Sequence, residues 1–257
     1  FNLYVPAHCD GNGIVIHARA NLPYARRSVP PRSGVRYTGG ADVPLFRKVF
    51  AWLALPASLP ICSLISAAQA SARYSCHYPP ELVDRICADD DPCGFFDYED
   101  RMDHGELLAQ VLPDVEREQG KELADVFADY IARYNDALPR MIPGMEELLG
   151  DLRKAGYGVW GLTNWSCETF HFAFEKFPQL ERLLNGTVVS GVEKKFKPNA
   201  DFYELALHRF GLKPDACVFF DDTAKNVTGA QQVGIRAFRF STAEQARRDL
   251  ASVGVRL

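Results

Sequence analysis

Thr163-Asn164, Lys197-Pro198 and Asp221-Asp222 place a hydroxyl, an amide, an ammonium group and two adjacent carboxylates at the ends of predicted elements. A hydroxyl and a lysine can hold the oxygens of a phosphoryl group, and paired carboxylates offer hard oxygens to a small divalent cation. The set suits chemistry on phosphate with Mg2+. Each feature alone has a plainer use. Thr-Asn after a strand forms turns and caps, a lysine before proline commonly enters a helix in solvent, and an Asp pair at a strand end caps the next helix. Taken in order, each beside an apolar strand or a helix start, they converge on one edge of a sheet.

The elements that must carry them are set by periodicity. Tyr157 to Leu162 leads into Thr163, and Ala216 to Phe220 leads into Asp221-Asp222. Thr187 to Val189 and Ile235 to Phe240 are two further strands. Between them the pattern predicts helices over Glu168 to Phe177, Ala200 to Phe210 and Ala224 to Val233, with Ala243 to Val253 last; a helix through Lys154 precedes the first strand. Near-continuous apolar strands alternating with helices predict an α/β fold with a parallel sheet covered on both faces. In such sheets ligands gather at the carboxyl ends of the strands. Upstream, Pro80 to Ile86, Asp97 to Leu112 and Val115 to Tyr134 carry apolar residues at helical spacing and predict a helical block.

Residues 1–76 obey different rules. Seven prolines fall between Pro6 and Pro60, and no clean period runs through Ala18 to Gly40. Up to Arg73 there are eight Arg or Lys and two acids, Asp10 and Asp42, although the whole chain of 257 residues has a formal net charge of -4. The first glutamate is Glu81 and the first methionine Met102. This is the composition of a disordered or out-of-frame stretch fused to a normal domain. If so, the first strand and its site residue are missing, and an open edge replaces a central strand. Val49 to Ala70, after the basic Arg47-Lys48, imitates a secretory signal, but its internal position, Pro56 and Pro60 argue against a signal or a membrane span.

From about His77 to Leu257 the chain resembles a haloacid dehalogenase-like (HAD) hydrolase with a helical cap. Members of that family carry an Asp nucleophile after the first strand, a Ser or Thr after the second, a Lys, and an acidic pair. The resemblance makes Thr163 and Asn164 the second motif, Lys197 in Lys195-Phe196-Lys197-Pro198 the third, and Asp221-Asp222 the fourth. It implies a Rossmann-like fold with a cap over residues 77–140 and a core over 141–257. Its cofactor would be Mg2+, bound directly by Asp221 with Asp222 completing the shell, and its substrate a small phosphorylated metabolite attacked through an aspartyl-phosphate. Sugar phosphates fit members with this cap type. Trp165, next to the second motif, is a candidate wall of the substrate pocket.

The first motif is the exception. No aspartate stands between Val49 and Ser75, and the nearest counterpart is Asp10 in Cys9-Asp10-Gly11-Asn12-Gly13. The resemblance makes Asp10 the nucleophile, while Asn12 occupies a place where many phosphatases keep a carboxylate acid; an amide cannot donate a proton in that role. Two other readings therefore stand beside phosphatase: metal-independent haloacid dehalogenation, and a protein that binds phosphate or metal without turnover. The acidic balance disfavours nucleic acid and anionic membranes as partners. Seven cysteines without a C-x-x-C pair predict reduced thiols in a cytoplasm. Oligomeric state is not legible.

Overall fold

A computed structural model describes residues 48–51, 80–86, 88, 91–138 and 141–257. Asp10, the rest of the proline-rich front and most of the signal-like segment lie outside the described residues.

The first described element corrects the expectation of a missing strand. β1 (Lys48–Ala51) comes from within the atypical region, yet it occupies the centre of the sheet. The helical block comes next as α1 (Pro80–Ile86), α2 (Phe95–Asp103), α3 (Leu108–Gln119), α4 (Lys121–Ala132) and the short α5 (Tyr134–Ala137). The α/β part continues with α6 (Met145–Lys154), β2 (Gly158–Thr163), α7 (His171–Lys176), α8 (Gln179–Leu183), β3 (Thr187–Val189), α9 (Ser190–Glu193) and α10 (Ala200–Phe210). A 3-10 turn at Pro214–Ala216 precedes β4 (Cys217–Asp221), α11 (Ala224–Gln232), β5 (Arg236–Arg239) and α12 (Ala243–Ser252).

The five described strands run parallel in the order β3-β2-β1-β4-β5. In register, Lys48 lies between Gly158 and Cys217, and Ala51 lies beside Phe220. The chain leaving β1 therefore starts at the edge where Thr163 and Asp221 end their strands. The two faces obey the two-residue period of the strands. Val159, Val218 and Phe220 pack with Leu148, Leu149 and Leu152 of α6 and Leu250 of α12. Trp160, Leu162 and Phe219 pack on the other face with Phe202, Tyr203 and Val227 of α10 and α11. No helix among the described residues is long and apolar enough to cross a membrane.

The helical block has its own core, in which Phe95, Met102, Val111, Val115 and Phe127 are fully buried. Phe95 and Phe127 meet edge to face with ring centroids 5.0 Å apart. The predicted helix from Asp97 to Leu112 is in fact broken between Asp103 and Leu108. Gly105 takes φ 101 there, a left-handed conformation suited to glycine. Conversely, Pro113 does not separate the next two helices; it sits inside α3, and Gly120 at φ 91 makes the break instead. The predicted helix from Glu168 likewise begins later, at His171, after a run of turns.

Candidate functional site

β2 delivers Thr163 and β4 delivers Asp221 to the same edge because the strands are parallel and in register about β1. Lys197 arrives from the loop between α9 and α10. Its Nζ donates to Asp221 Oδ2 at 2.7 Å, with side-chain exposures of 2% and 0%. The second carboxylate oxygen of Asp221 is also engaged: Oδ1 accepts from Thr223 N–H at 2.9 Å and Asn226 Nδ2 at 3.0 Å. Asp222 is the more open of the pair, and Thr223 Oγ1 donates to its Oδ1 at 3.3 Å. Burial lowers the Lys197 ammonium below its ordinary pKa, against the pull of Asp221. Burial, and then the charge of Asp221, raise Asp222.

Asn164 does not point its amide away into open space. Its Nδ2 donates to Lys197 O at 3.0 Å, and its Oδ1 accepts from Lys197 N–H at 2.9 Å. Thr163 is buried, its hydroxyl 3.3 Å from Asn164 O. Trp165 is packed rather than open: it is 7% exposed, its Nε1 donates to Thr169 Oγ1 at 3.0 Å, and its ring lies 5.7 Å from that of Tyr134. Two glycines allow these loops to close up. A Cβ on Gly191 would meet Cys167 N at 2.6 Å and Trp165 O at 2.7 Å, and one on Gly229 would meet Pro198 O at 2.3 Å.

The end of α2 is bound to this edge. Ser190 Oγ donates to the backbone oxygen of Asp103 and accepts from Trp165 N–H at 2.9 Å. The Asp103 carboxyl accepts from Ser166 N–H. His104 stacks on Phe196 with centroids 3.7 Å apart, and Leu108 N–H donates to Glu168 Oε2 at 2.6 Å. One turn before Asp103, Glu99 Oε1 accepts from Tyr130 and Tyr134 hydroxyls at 2.7 and 3.1 Å. Both acids keep part of their surface exposed. Burial raises both, reinforced at Asp103 by the charges of Glu99 and Asp100.

The raised Glu99 carboxyl has a consequence for stability. The native state holds more protons than the unfolded chain between the ordinary carboxyl value of 4.5 and the raised one. Stability therefore falls as pH rises through that window and stays lowered above it. Glu99→Gln retains an oxygen for both tyrosine hydroxyls but cannot ionise. It is expected to flatten this slope and to be more stable than the parent at pH 7, as measured by urea unfolding across pH.

The predicted residues Thr163, Asn164, Lys197, Asp221 and Asp222 thus share one edge of the sheet. Asn226, Ser190, Glu99 and Asp103 join them; none is given a role from sequence, although the segment from Phe95 to Glu106, which holds Glu99 and Asp103, is rich in groups that could face a substrate. Asn226 has a signal in its position on the helix behind the acidic pair; the other three depend on docking of the helical block.

The sheet covered on both faces, the helical block tied to its carboxyl edge and the Thr-Lys-Asp set define a capped, Rossmann-like α/β protein. A family model described as haloacid dehalogenase-like hydrolase matches residues 76–234, and the chain belongs to that family. It is 29% identical over 114 residues to flavin mononucleotide hydrolase 1 of Arabidopsis thaliana, covering 44% of this chain and 46% of that protein. It is 31% identical over 145 residues to a phosphatase of Mycobacterium tuberculosis, covering 54% and 64%. The chain therefore spans about half to under two thirds of the length of these curated relatives. A HAD family enzyme from Bacteroides thetaiotaomicron, solved with magnesium and inorganic phosphate, superposes with a TM-score of 0.55 at 19% identity, covering 77% of this chain and 95% of that one. At that identity the likeness concerns the fold.

Proposed function

We propose that this hydrolase is a Mg2+-dependent phosphomonoesterase acting on a small phosphorylated metabolite through an aspartyl-phosphate. The observation that carries the reading is the buried Lys197–Asp221 ion pair beside the more open Asp222, on the edge where Thr163 ends its strand. Burying such a pair costs several kcal/mol per ion before its attraction is counted, roughly, and a fold gains little stability from it. It makes sense as a preset charge for an anionic ligand.

Among the described residues no cluster of three or more His, Cys, Asp or Glu is placed to hold a metal. One or two carboxylates with waters are the usual Mg2+ set, so the hard oxygens of Asp222 and Asp221 fit that ion. With both oxygens of Asp221 engaged, Asp222 is the residue proposed to contact it directly, and Asp221 to orient Lys197. This reverses the expected division between the two acids. When bound, the ion would supply positive charge to the phosphoryl oxygens. Lys197 and the Thr163 hydroxyl would orient the phosphoryl group. Asp10, the nucleophile that the resemblance implies, lies outside the described residues. Residues 77–140 as a cap, 141–257 together with β1 as the core, and a cytoplasmic setting belong to the same proposal.

Glu99 and Asp103 bear on the substrate. Both lie on the helix whose end is tied to this edge, and burial raises both toward the protonated form, in which a carboxyl donates as well as accepts a hydrogen bond. A hydroxyl-rich leaving group, as in sugar phosphates, suits them.

The central test is release of phosphate with and without EDTA. Loss on chelation and recovery with Mg2+ support the reading; metal-independent halide release would replace it with dehalogenation. A binding-only protein has one observation in its favour: no Asp or Glu stands between Ala51 at the end of β1 and Glu81. Phosphate binding without turnover, unchanged in Asp10→Asn, would establish that alternative.

A further inference from the structure

We propose that Asn164 is a positioning residue that acts through Lys197, not a group that holds the phosphate with its side chain. This deepens the proposed phosphatase function and rests on it for the role of Lys197.

The geometry is reciprocal. The Asn164 amide donates to the carbonyl and accepts from the N–H of one residue, Lys197, at 3.0 and 2.9 Å. An amide used twice in this way pairs with the backbone as a neighbouring strand would, although the two residues lie in separate loops. Lys197 needs such a hold. It sits in the loop that joins α9 to α10, after Lys194 in the left-handed region at φ 53. Its ammonium must nevertheless reach a carboxylate with no exposure of its own. A slip of the loop by about 1 Å would exchange a 2.7 Å hydrogen bond for one beyond the useful range.

The surroundings favour this assignment. On the other side of the loop, Gly229 lets α11 approach Pro198 so closely that any side chain there would strike its carbonyl. Pro198 lacks an N–H, so the backbone of Lys197 takes the amide's two bonds. With one donor and the oxygen of Asn164 committed to Lys197, only one N–H of its side chain remains for any other partner.

Two measurements test the proposal. The first is residue-resolved amine acylation at fixed pH, followed by mass spectrometry, with the exposed Lys154 and Lys176 as internal references. Asn164→Ala is expected to raise labelling of Lys197 at least tenfold relative to those lysines; unchanged relative labelling would overturn the proposal. If the alanine variant does not fold, Asn164→Asp serves instead. It keeps the acceptor for Lys197 N–H and loses the donor to the carbonyl, so a smaller rise is expected, and no rise would again overturn the proposal.

The second is calorimetric binding of inorganic phosphate with Mg2+ to Asn164→Ala, Lys197→Met and the double variant. If Asn164 acts through Lys197, the double variant binds like Lys197→Met alone. If the two losses add, Asn164 contacts the phosphate and the proposal falls. Should the parent protein bind no phosphate, the phosphatase function fails, and the acylation result still decides whether Asn164 positions Lys197.

Discussion

Asp221→Asn is expected to lower the free energy of unfolding by about 3–5 kcal/mol, the usual cost of removing one member of a buried ion pair. The arrangement of donors makes this asparagine a poor substitute. Oδ2 accepts from Lys197 Nζ, while Oδ1 accepts from Thr223 N–H and Asn226 Nδ2. An amide has only one oxygen. Whichever way it turns, its NH2 faces a donor, either the ammonium or the Thr223–Asn226 pair, and a buried polar group is left unmatched. The ammonium can limit the cost by shedding its proton, since burial already depresses its pKa.

A cycle of variants separates these contributions. Lys197→Met leaves Asp221 with two of its three donors and should cost less than Asp221→Asn. The double variant should be more stable than the sum of the single losses implies, by at least about 1 kcal/mol, because residues in one hydrogen-bonded network do not act additively. Urea denaturation of the four proteins provides the measurement. Additive losses would mean that the pair contributes no coupling and that Asp221 is held by Thr223 and Asn226 alone.

The groups legible from the sequence are those beside strong elements. Thr163 ends an apolar strand, Asp221 ends another, and Lys197 precedes a helix with a clear period, so local pattern and tertiary position agree. β1 is illegible for the opposite reason. Four residues are too few for a period, and proline-rich surroundings suppress the strand reading; only pairing on both sides identifies Lys48–Ala51 as the central strand. Helix boundaries in the block turn on backbone conformation. Pro113 is tolerated inside α3, whereas Gly105 and Gly120 adopt positive φ and end the helices. Glu99 and Asp103 are visible as part of a charged segment that could face a substrate, but not as two particular site residues, because periodicity does not say what a helix end will dock against. The tie from Asp103 to Ser166 and Ser190 joins residues more than sixty positions apart.

Asp222→Asn separates metal binding from folding. The neighbouring Asp221 is fully buried and saturated, so its loss should damage stability and ligand binding together. Asp222 is only half-buried, and burial with the charge of Asp221 already disfavours its ionised form. Replacing it by a neutral isostere removes repulsion between two adjacent carboxylates and costs no ion pair. Stability without metal is therefore expected to change by less than about 1 kcal/mol, the ordinary range away from a packed or paired group. Metal affinity should fall by about 100-fold, because the proposed direct oxygen ligand loses its charge. The two effects meet in one observable. A saturating ligand that binds only the native state adds about 2.7 kcal/mol at one hundred times its dissociation constant. The parent protein should thus unfold at higher temperature with Mg2+ than with EDTA, whereas Asp222→Asn, for which the same Mg2+ adds only about 0.4 kcal/mol, should lose most of that difference. A variant that kept the Mg2+-dependent shift would move the metal away from Asp222, and with it the argument that Asp221 serves Lys197 instead of the ion.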